Sequence, residues 1–437
     1  MRVALNGYFW GQPRTGSGQY IRHLWSALQS LSDSTSNGSA SPDLLMLLPP
    51  GAPLDEPVPI GPTSAVVPSP NNRLATLNAD LGKLLWEEWG VARQARKHRV
   101  DLLHTPYLTA PLPILDFGFW ILDFMRKRSR ANRRHVDSIQ NPKSKIQNPQ
   151  VVTAHDMIPW VVPGYGGSPF FKLYLALATA GVKRATAIMA DSEASRRDVI
   201  RILRMPPGRV HTVYLGVEAA PQYTEAQLDE VRARFGLPRR YAFYLGGFDR
   251  RKNVPLLLRA WRNALASLHS PADAASGERP LLAVGGVVPE PGGVFPDVRG
   301  EANSLGMEVP DAPVRFMGRI SESDKPLLMA AAHLFVYPSS YEGFGLDPLE
   351  AMSVGCPVIS SSGGSLIEVV GDGGILVPPD DERALCEAIV QAWHDPDLRA
   401  NLSQRGRSQA SQFTWERTAR QTLDVYTRAL KSARSRQ

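Results

Sequence analysis

The sequence predicts an α/β protein made of two Rossmann-like, doubly wound domains that face a central cleft. Two observations predict it. Short β-like apolar runs alternate with longer amphipathic runs along most of the chain, the pattern of a parallel sheet with helices on its faces. At 437 residues the chain is also too long for one ordinary hydrophobic core.

In chain order, Val3–Leu5 is the first expected strand. A helix from Gln19 follows, with Ile21, Leu24, Trp25, Leu28 and Leu31 at helical spacing. Further strands are expected at 44–48, 101–104, 151–155, 187–190 and 210–214. Near 217–240 the chain holds prolines and a charged helix but no strand-like run, which places the hinge there and the first domain at 1–218. Beyond it, strands are expected at 241–245, 281–284, 314–317, 334–337 and 357–360, with helices at 254–266, 322–332 and 346–354 between them. This second domain spans 219–413, and 414–437, beginning "TWERTARQTL", reads as a long amphipathic helix. Open α/β sheets bind ligands at the carboxyl ends of their strands, so two such sheets direct attention to the cleft between them.

Composition narrows the function classes. The two cysteines, Cys356 and Cys386, allow no disulfide framework and no CxxC metal spacing, which fits a reducing cytoplasm. "MRVALNGYFWG" has too short an apolar run for a signal peptide, and no stretch reaches the ~18 apolar residues of a membrane span. The net charge of +7 suggests a nucleic-acid partner until it is located. Residues 126–145 hold eight bases and one acid, and without them the 49 bases and 42 acids fall to 41 of each. The basicity is local, and no nucleic-acid partner is expected.

That basic run lies within a segment, about 116–150, that breaks the βα pattern and contains "IQNP" twice, at Ile139 and Ile146. Its polar, repetitive composition reads as a disordered insertion. The amphipathic "FWILDFMRKR" at its start is the basis for a second reading, a peripheral contact with the inner face of a membrane.

The stretch "EGFGLDPLE" places Glu342 and Glu350 eight residues apart. On one helix they would stand ~12 Å apart along the axis and ~80° around it, which suits neither a shared proton nor a bridging metal. Gly343 and Gly345 argue for a loop, and Asp347, Pro348 and Glu350 read as N-cap, N1 and N3 of the next helix. Exposed loop amides beside a helix start favour an anionic or hydroxyl-rich ligand.

With "GSGQYIRHLWSAL", "VTAHDMIP", "ADSEASRRDVI", "YLGGFDRRKNVPLLLRAW" and the C-terminal "FTWERTARQTL", this stretch resembles the family 4 retaining glycosyltransferases of the GT-B fold, in order along nearly the whole chain. The resemblance implies that the C-terminal helix crosses back to the first domain. It implies that Glu342, with the backbone of Gly343, Phe344 and Gly345, holds the sugar of a nucleotide-sugar donor, that Glu350 holds the ribose, and that Lys252 neutralises the diphosphate beside Asn253. Where many members carry Arg after the strand-end glycine, this chain has Gly247, and Arg251 is the expected replacement. Gly16 and Gly18 are expected to approach the donor phosphates. His155 is expected to contact the sugar, and Asp156 to orient that histidine or bind the acceptor. His104 and Tyr107 are acceptor-side candidates, and Ser192 and Glu193 are expected to cap a helix. The resemblance implies retaining, metal-independent hexosyl transfer with no cofactor, from GDP-mannose or else a UDP-sugar, to a glycan or lipid-linked glycan. Rival readings are a phosphorylase-like enzyme, for which no pyridoxal phosphate site is visible, and a non-catalytic nucleotide-sugar-binding protein.

Overall fold

The computed structural model describes residues 1–435 except 14, 35–41, 52–57, 62–63, 69–81, 84, 112–147, 166, 168, 270–278 and 308–312. Nearly all of the segment read as an insertion lies outside the described residues, and Gln150 already opens a strand.

Thirteen strands form two parallel sheets among the described residues. The first runs β3-β2-β1-β4-β5-β6-β7, with β1 Arg2–Asn6, β2 Asp43–Leu48, β3 Ser64–Pro68, β4 Leu102–Thr105, β5 Gln150–Ala154, β6 Ala187–Ala190 and β7 Val210–Thr212. The second runs β10-β9-β8-β11-β12-β13, with β8 Tyr241–Leu245, β9 Leu281–Gly285, β10 Val314–Gly318, β11 Leu334–Tyr337, β12 Val358–Ser361 and β13 Ile375–Val377. Strand order reverses between β1 and β4 and again between β8 and β11, and these switch points open crevices at the carboxyl ends of the strands.

Alternation explains why the strands read as continuous apolar runs. Val3 and Leu5 of β1 join one core cluster while Ala4 joins another on the opposite face. Leu44 and Met46 of β2 likewise part from Leu45 and Leu47. Both faces are buried, so no polar stripe marks the strands.

The N-terminal helix Gly16–Ser34 buries the expected stripe of Ile21, Leu24, Trp25, Leu28 and Leu31. The helix Trp415–Arg434 packs on it and on β5 and β6, so the last helix does return to the first sheet. Thr414 caps this helix by accepting from Arg417 N at 3.2 Å, and Thr418 Oγ1 donates to Tyr214 O at 2.7 Å. Inside the fold, Tyr426 OH meets His104 Nδ1 at 2.7 Å. The chain enters the returning helix past Gly216, where a β-carbon would stand 2.2 Å from Trp415 N. Gly216→Ala should therefore cost about 1–3 kcal/mol of overpacking. Urea unfolding should register that loss, and amide exchange should show faster opening in Trp415–Arg434 than in the second sheet.

Candidate functional site

Because β8 and β11 are adjacent, the loops leaving their carboxyl ends lie side by side. After β8 the chain makes a turn at Arg250–Lys252, and Asn253 takes a left-handed conformation, φ 55°, before the helix Val254–Leu268. After β11, residues 338–345 lead to the helix Leu346–Ser353. Ser340 N donates to Arg251 O at 2.7 Å and ties the two loops together.

The result is a buried charge cluster centred on Glu342, which is 7% exposed. Its Oε1 accepts from Lys252 Nζ at 2.7 Å, Ser339 Oγ at 2.7 Å and Tyr337 OH at 3.0 Å, while Oε2 accepts from Arg251 Nη1 at 2.6 Å. Burial alone would raise the Glu342 pKa, but Lys252 and Arg251 outweigh it and hold the carboxyl down at about 2. Arg251 Nε also stands 3.1 Å from Asp249 Oδ1, and the same Asp249 oxygen accepts from Tyr165 OH of the first domain. Arg250 points to solvent, so Arg251 is the cation that joins Lys252. At Gly247 the nearest atom to a β-carbon would be Asp249 Oδ2 at 3.5 Å, so the missing arginine leaves space rather than a clash.

The first domain presses on this loop. Gly343 O accepts from Ser192 Oγ at 2.6 Å and Ser195 Oγ at 2.9 Å, and a β-carbon on Gly343 would lie 2.1 Å from His155 O. Glycine is required here by close approach. Glu368 accepts from Glu193 N at 2.9 Å, Ala194 N at 2.8 Å and Tyr214 OH at 2.9 Å, capping a first-domain helix from the second domain.

His155 lies beside this seam. Its Nδ1 is 2.7 Å from Asp191 Oδ2 and its Nε2 is 3.0 Å from Pro106 O. Both partners are acceptors, an arrangement that favours the charged ring, which donates from both nitrogens. Burial opposes that charge, yet Asp191 prevails and raises the pKa above the ordinary histidine value. Asp156 accepts from Ile158 N at 3.0 Å, and burial keeps its carboxyl above the usual value despite the nearby Arg251.

Glu350 stands apart from Glu342. It lines a cavity of about 400 Å³ between the domains and pairs with Lys325. Among the described residues, no three His, Cys, Asp or Glu side chains cluster as a metal cage, and no helix is long and apolar enough to cross a membrane.

Residues 229–409 match the family described as glycosyl transferases group 1, and residues 15–216 match the glycosyl transferase 4-like domain. The chain is a family 4 glycosyltransferase. This glycosyltransferase is 33% identical to the O-antigen chain mannosyltransferase B of Escherichia coli, over 63% of its own length and 69% of the relative's. Against the serotype-specific mannosyltransferase WbdA of Escherichia coli it is 28% identical over 69% of its length, a match that spans 36% of WbdA. Sucrose-phosphate synthase from Thermosynechococcus elongatus superposes with a TM-score of 0.67 at 21% identity, covering 99% of this chain and 100% of that one, and shares the GT-B fold.

The glycosyltransferase thus brings Glu342, Gly343, Arg251, Lys252, His155 and Asp156 to one seam. Several other expected residues are engaged elsewhere. Phe344 is a buried plug against Tyr214 and Phe413, and Gly345, φ 103°, is the turn into the next helix. Asn253 Nδ2 donates to Asp380 Oδ1 at 2.7 Å, which spends its amide on the loop. Gly18 allows Gln12 to pack against the N-terminal helix, since a β-carbon would sit 1.9 Å from Gln12 O, whereas Gly16 meets nothing within 4 Å. His104 is fully buried between Tyr426 and Thr153, 2.8 Å from Thr153 Oγ1, where no acceptor reaches it; burial pushes its pKa down to about 3. Tyr107 accepts from Asn6 Nδ2 at 2.8 Å and is almost wholly buried. Ser192 does cap its helix, accepting from Ser195 N at 3.0 Å. The capping box expected at Asp347 is corrected: the helix starts at Leu346 with Gly345 as its cap, so Glu350 falls in the second turn and faces Lys325 instead of the helix end.

Sequence reading missed Tyr337, Ser339, Asp191, Glu368 and Lys325. The first two sit at a strand end only five and three residues before Glu342, a proximity that could have flagged them. The others come from distant segments with no spacing signal.

Glu342→Gln keeps the shape but leaves Lys252 without its carboxylate and Arg251 with Asp249 alone, which should cost about 3 kcal/mol in urea unfolding at pH 7. Because the Glu342 pKa is lowered on folding, its contribution is complete above the ordinary carboxylate value and is lost as pH falls through about 2. The stability gap between wild type and variant should therefore close in strong acid.

Proposed function

We propose that this glycosyltransferase moves a hexosyl group, mannosyl from GDP-mannose before any other, to a hydroxyl of a glycan or lipid-linked glycan with retention at the anomeric carbon. The observation that carries the reading is the Glu342–Arg251–Lys252 cluster at the seam of two sheets. A carboxylate offers about four acceptor directions. Oε1 takes three donors and Oε2 one, so Oε2 is the oxygen that would receive a sugar hydroxyl. Arg251 and Lys252 would turn part of their charge to the diphosphate, and Glu350 would hold the ribose from the neighbouring cavity. The two mannosyltransferase relatives support the choice of donor.

The reaction breaks the bond between C1 and the phosphate oxygen and forms one between C1 and the acceptor oxygen on the same face. Both ring nitrogens of His155 are engaged, one by Asp191 and the other by the Pro106 carbonyl, so neither is free to take the acceptor proton. The acceptor proton passes instead to the departing phosphate oxygen, whose developing charge Arg251 and Lys252 stabilise in a site that costs little reorganisation. Asp156, close enough to feel both Arg251 and Glu342, would orient the incoming hydroxyl. The Ser192 and Ser195 contacts to Gly343, with the Glu368 cap beside them, would hold the domains together over the loop and keep water from the sugar.

Thermal shift and turnover with a panel of GDP- and UDP-sugars tests the reading, with GDP-mannose expected to stabilise and turn over best. Preference for a UDP-sugar would replace the donor, and binding without turnover of any donor would favour the non-catalytic reading. Lys252→Ala should lower kcat by about 10²–10³-fold with its circular dichroism unchanged, as loss of one charge-stabilising group does elsewhere. Wild-type turnover in that variant removes Lys252 from the chemistry.

A further inference from the structure

Glu350, in the second turn of Leu346–Ser353, faces Lys325, the first residue of the helix Lys325–Ala331. The Lys325 ammonium forms an ion pair with Glu350 Oε2 and stands 3.8 Å from Asp347 Oδ1. Lys325 and Glu350 both line the interdomain cavity of about 400 Å³, a volume suited to a small-molecule site. The ammonium's side chain is only 13% exposed, so it is a fixed part of the wall and not a solvated surface charge.

Burying a carboxylate favours its neutral form unless a counter-charge accompanies it. Around Glu350, Asp347 on its own helix and Glu322 before the opposing helix add negative charge. Arg22 and His23 of the N-terminal helix and Glu218 of the linker face the cavity from the other domain, and Arg407 reaches the far end of the helix at Ser353 O. Lys325 is the cation that touches the carboxylate. Even with it in place, burial first, with Asp347 and Glu322 adding to it, leaves the Glu350 carboxyl pushed up to about 7.

We propose that Lys325 is a positioning residue for nucleotide binding: by engaging Oε2 of Glu350 it keeps that carboxylate charged and turned so that Oε1 can accept from the ribose hydroxyls. This rests on the reading of Glu350 as the ribose grip. Lys325 thereby sets both the affinity for a nucleoside diphosphate and the pH range in which the affinity is available.

Calorimetric binding of GDP and UDP to the full-length protein between pH 6 and 9.5 tests it. Wild type should bind one of them more tightly as pH rises through about 7. In Lys325→Met the rise should move at least one pH unit upward, so affinity near neutrality falls by about tenfold and recovers in alkali. Lys325→Arg should restore the wild-type profile. With Glu350→Gln the rise should vanish, and adding Lys325→Met should change the profile no further. Lys325→Met binding like wild type at every pH, or weakened equally at every pH, overturns the positioning role. Wild-type affinity in Glu350→Gln overturns instead the reading of Glu350, which separates the two failures.

Discussion

A buried carboxylate needs its countercharges, and the arrangement around Glu342 follows from that need. Arg251 and Lys252 come from the loop after β8, and Glu342 from the loop after β11, so they meet because those strands are neighbours. Removing any one of the three leaves an uncompensated charge out of water. The second sheet's order is thus as much part of the site as the side chains are. Tyr337 extends the arrangement: its hydroxyl donates to Glu342 Oε1 and lies 3.1 Å from Asp347 Oδ2, and Asp347 in turn stands near Lys325. The two glutamates of "EGFGLDPLE" are therefore linked by a continuous line of polar contacts, although their side chains serve different parts of the cleft.

The same loop is where the two domains meet. Gly343 gives its carbonyl to Ser192 and Ser195, and its missing side chain makes room for the His155 carbonyl. Glu368 spends its carboxylate on the end of a helix from the other domain. Parting the domains must expose these donors and acceptors together, so ordering of the sugar-side loop and closure of the cleft are coupled by unsatisfied hydrogen bonds.

Much of this architecture was legible in the residues. Eleven of the thirteen strands stand where apolar runs placed them, because parallel strands buried on both faces have no polar positions to confuse the pattern. The two that were not anticipated are edge strands: Ser64–Pro68 ends in proline, and Ile375–Val377 is three residues between glycines and prolines. The charge cluster was legible in part, since Glu342, Arg251 and Lys252 carry the chemistry that loop ends of this kind require. That these three would bind one another was not, because their pairing depends on strand adjacency. The helix register at Leu346 was misread because a positive φ at Gly345 and an acid two residues later both look like a start. His104 shows the opposite error: a histidine at a strand end looks functional until the returning helix is seen to cover it.

That covering bears on how the chain matures. Trp415–Arg434 follows every other described element in the chain, yet it supplies the buried Tyr426 that completes the polar interior around His104 and packs on β5 and β6 of the first sheet. The first domain therefore emerges from synthesis with one flank bare and must wait for the second sheet to be made before that flank is closed. Contacts between residues this far apart in sequence are slow to form, because a long loop must be closed before they are gained.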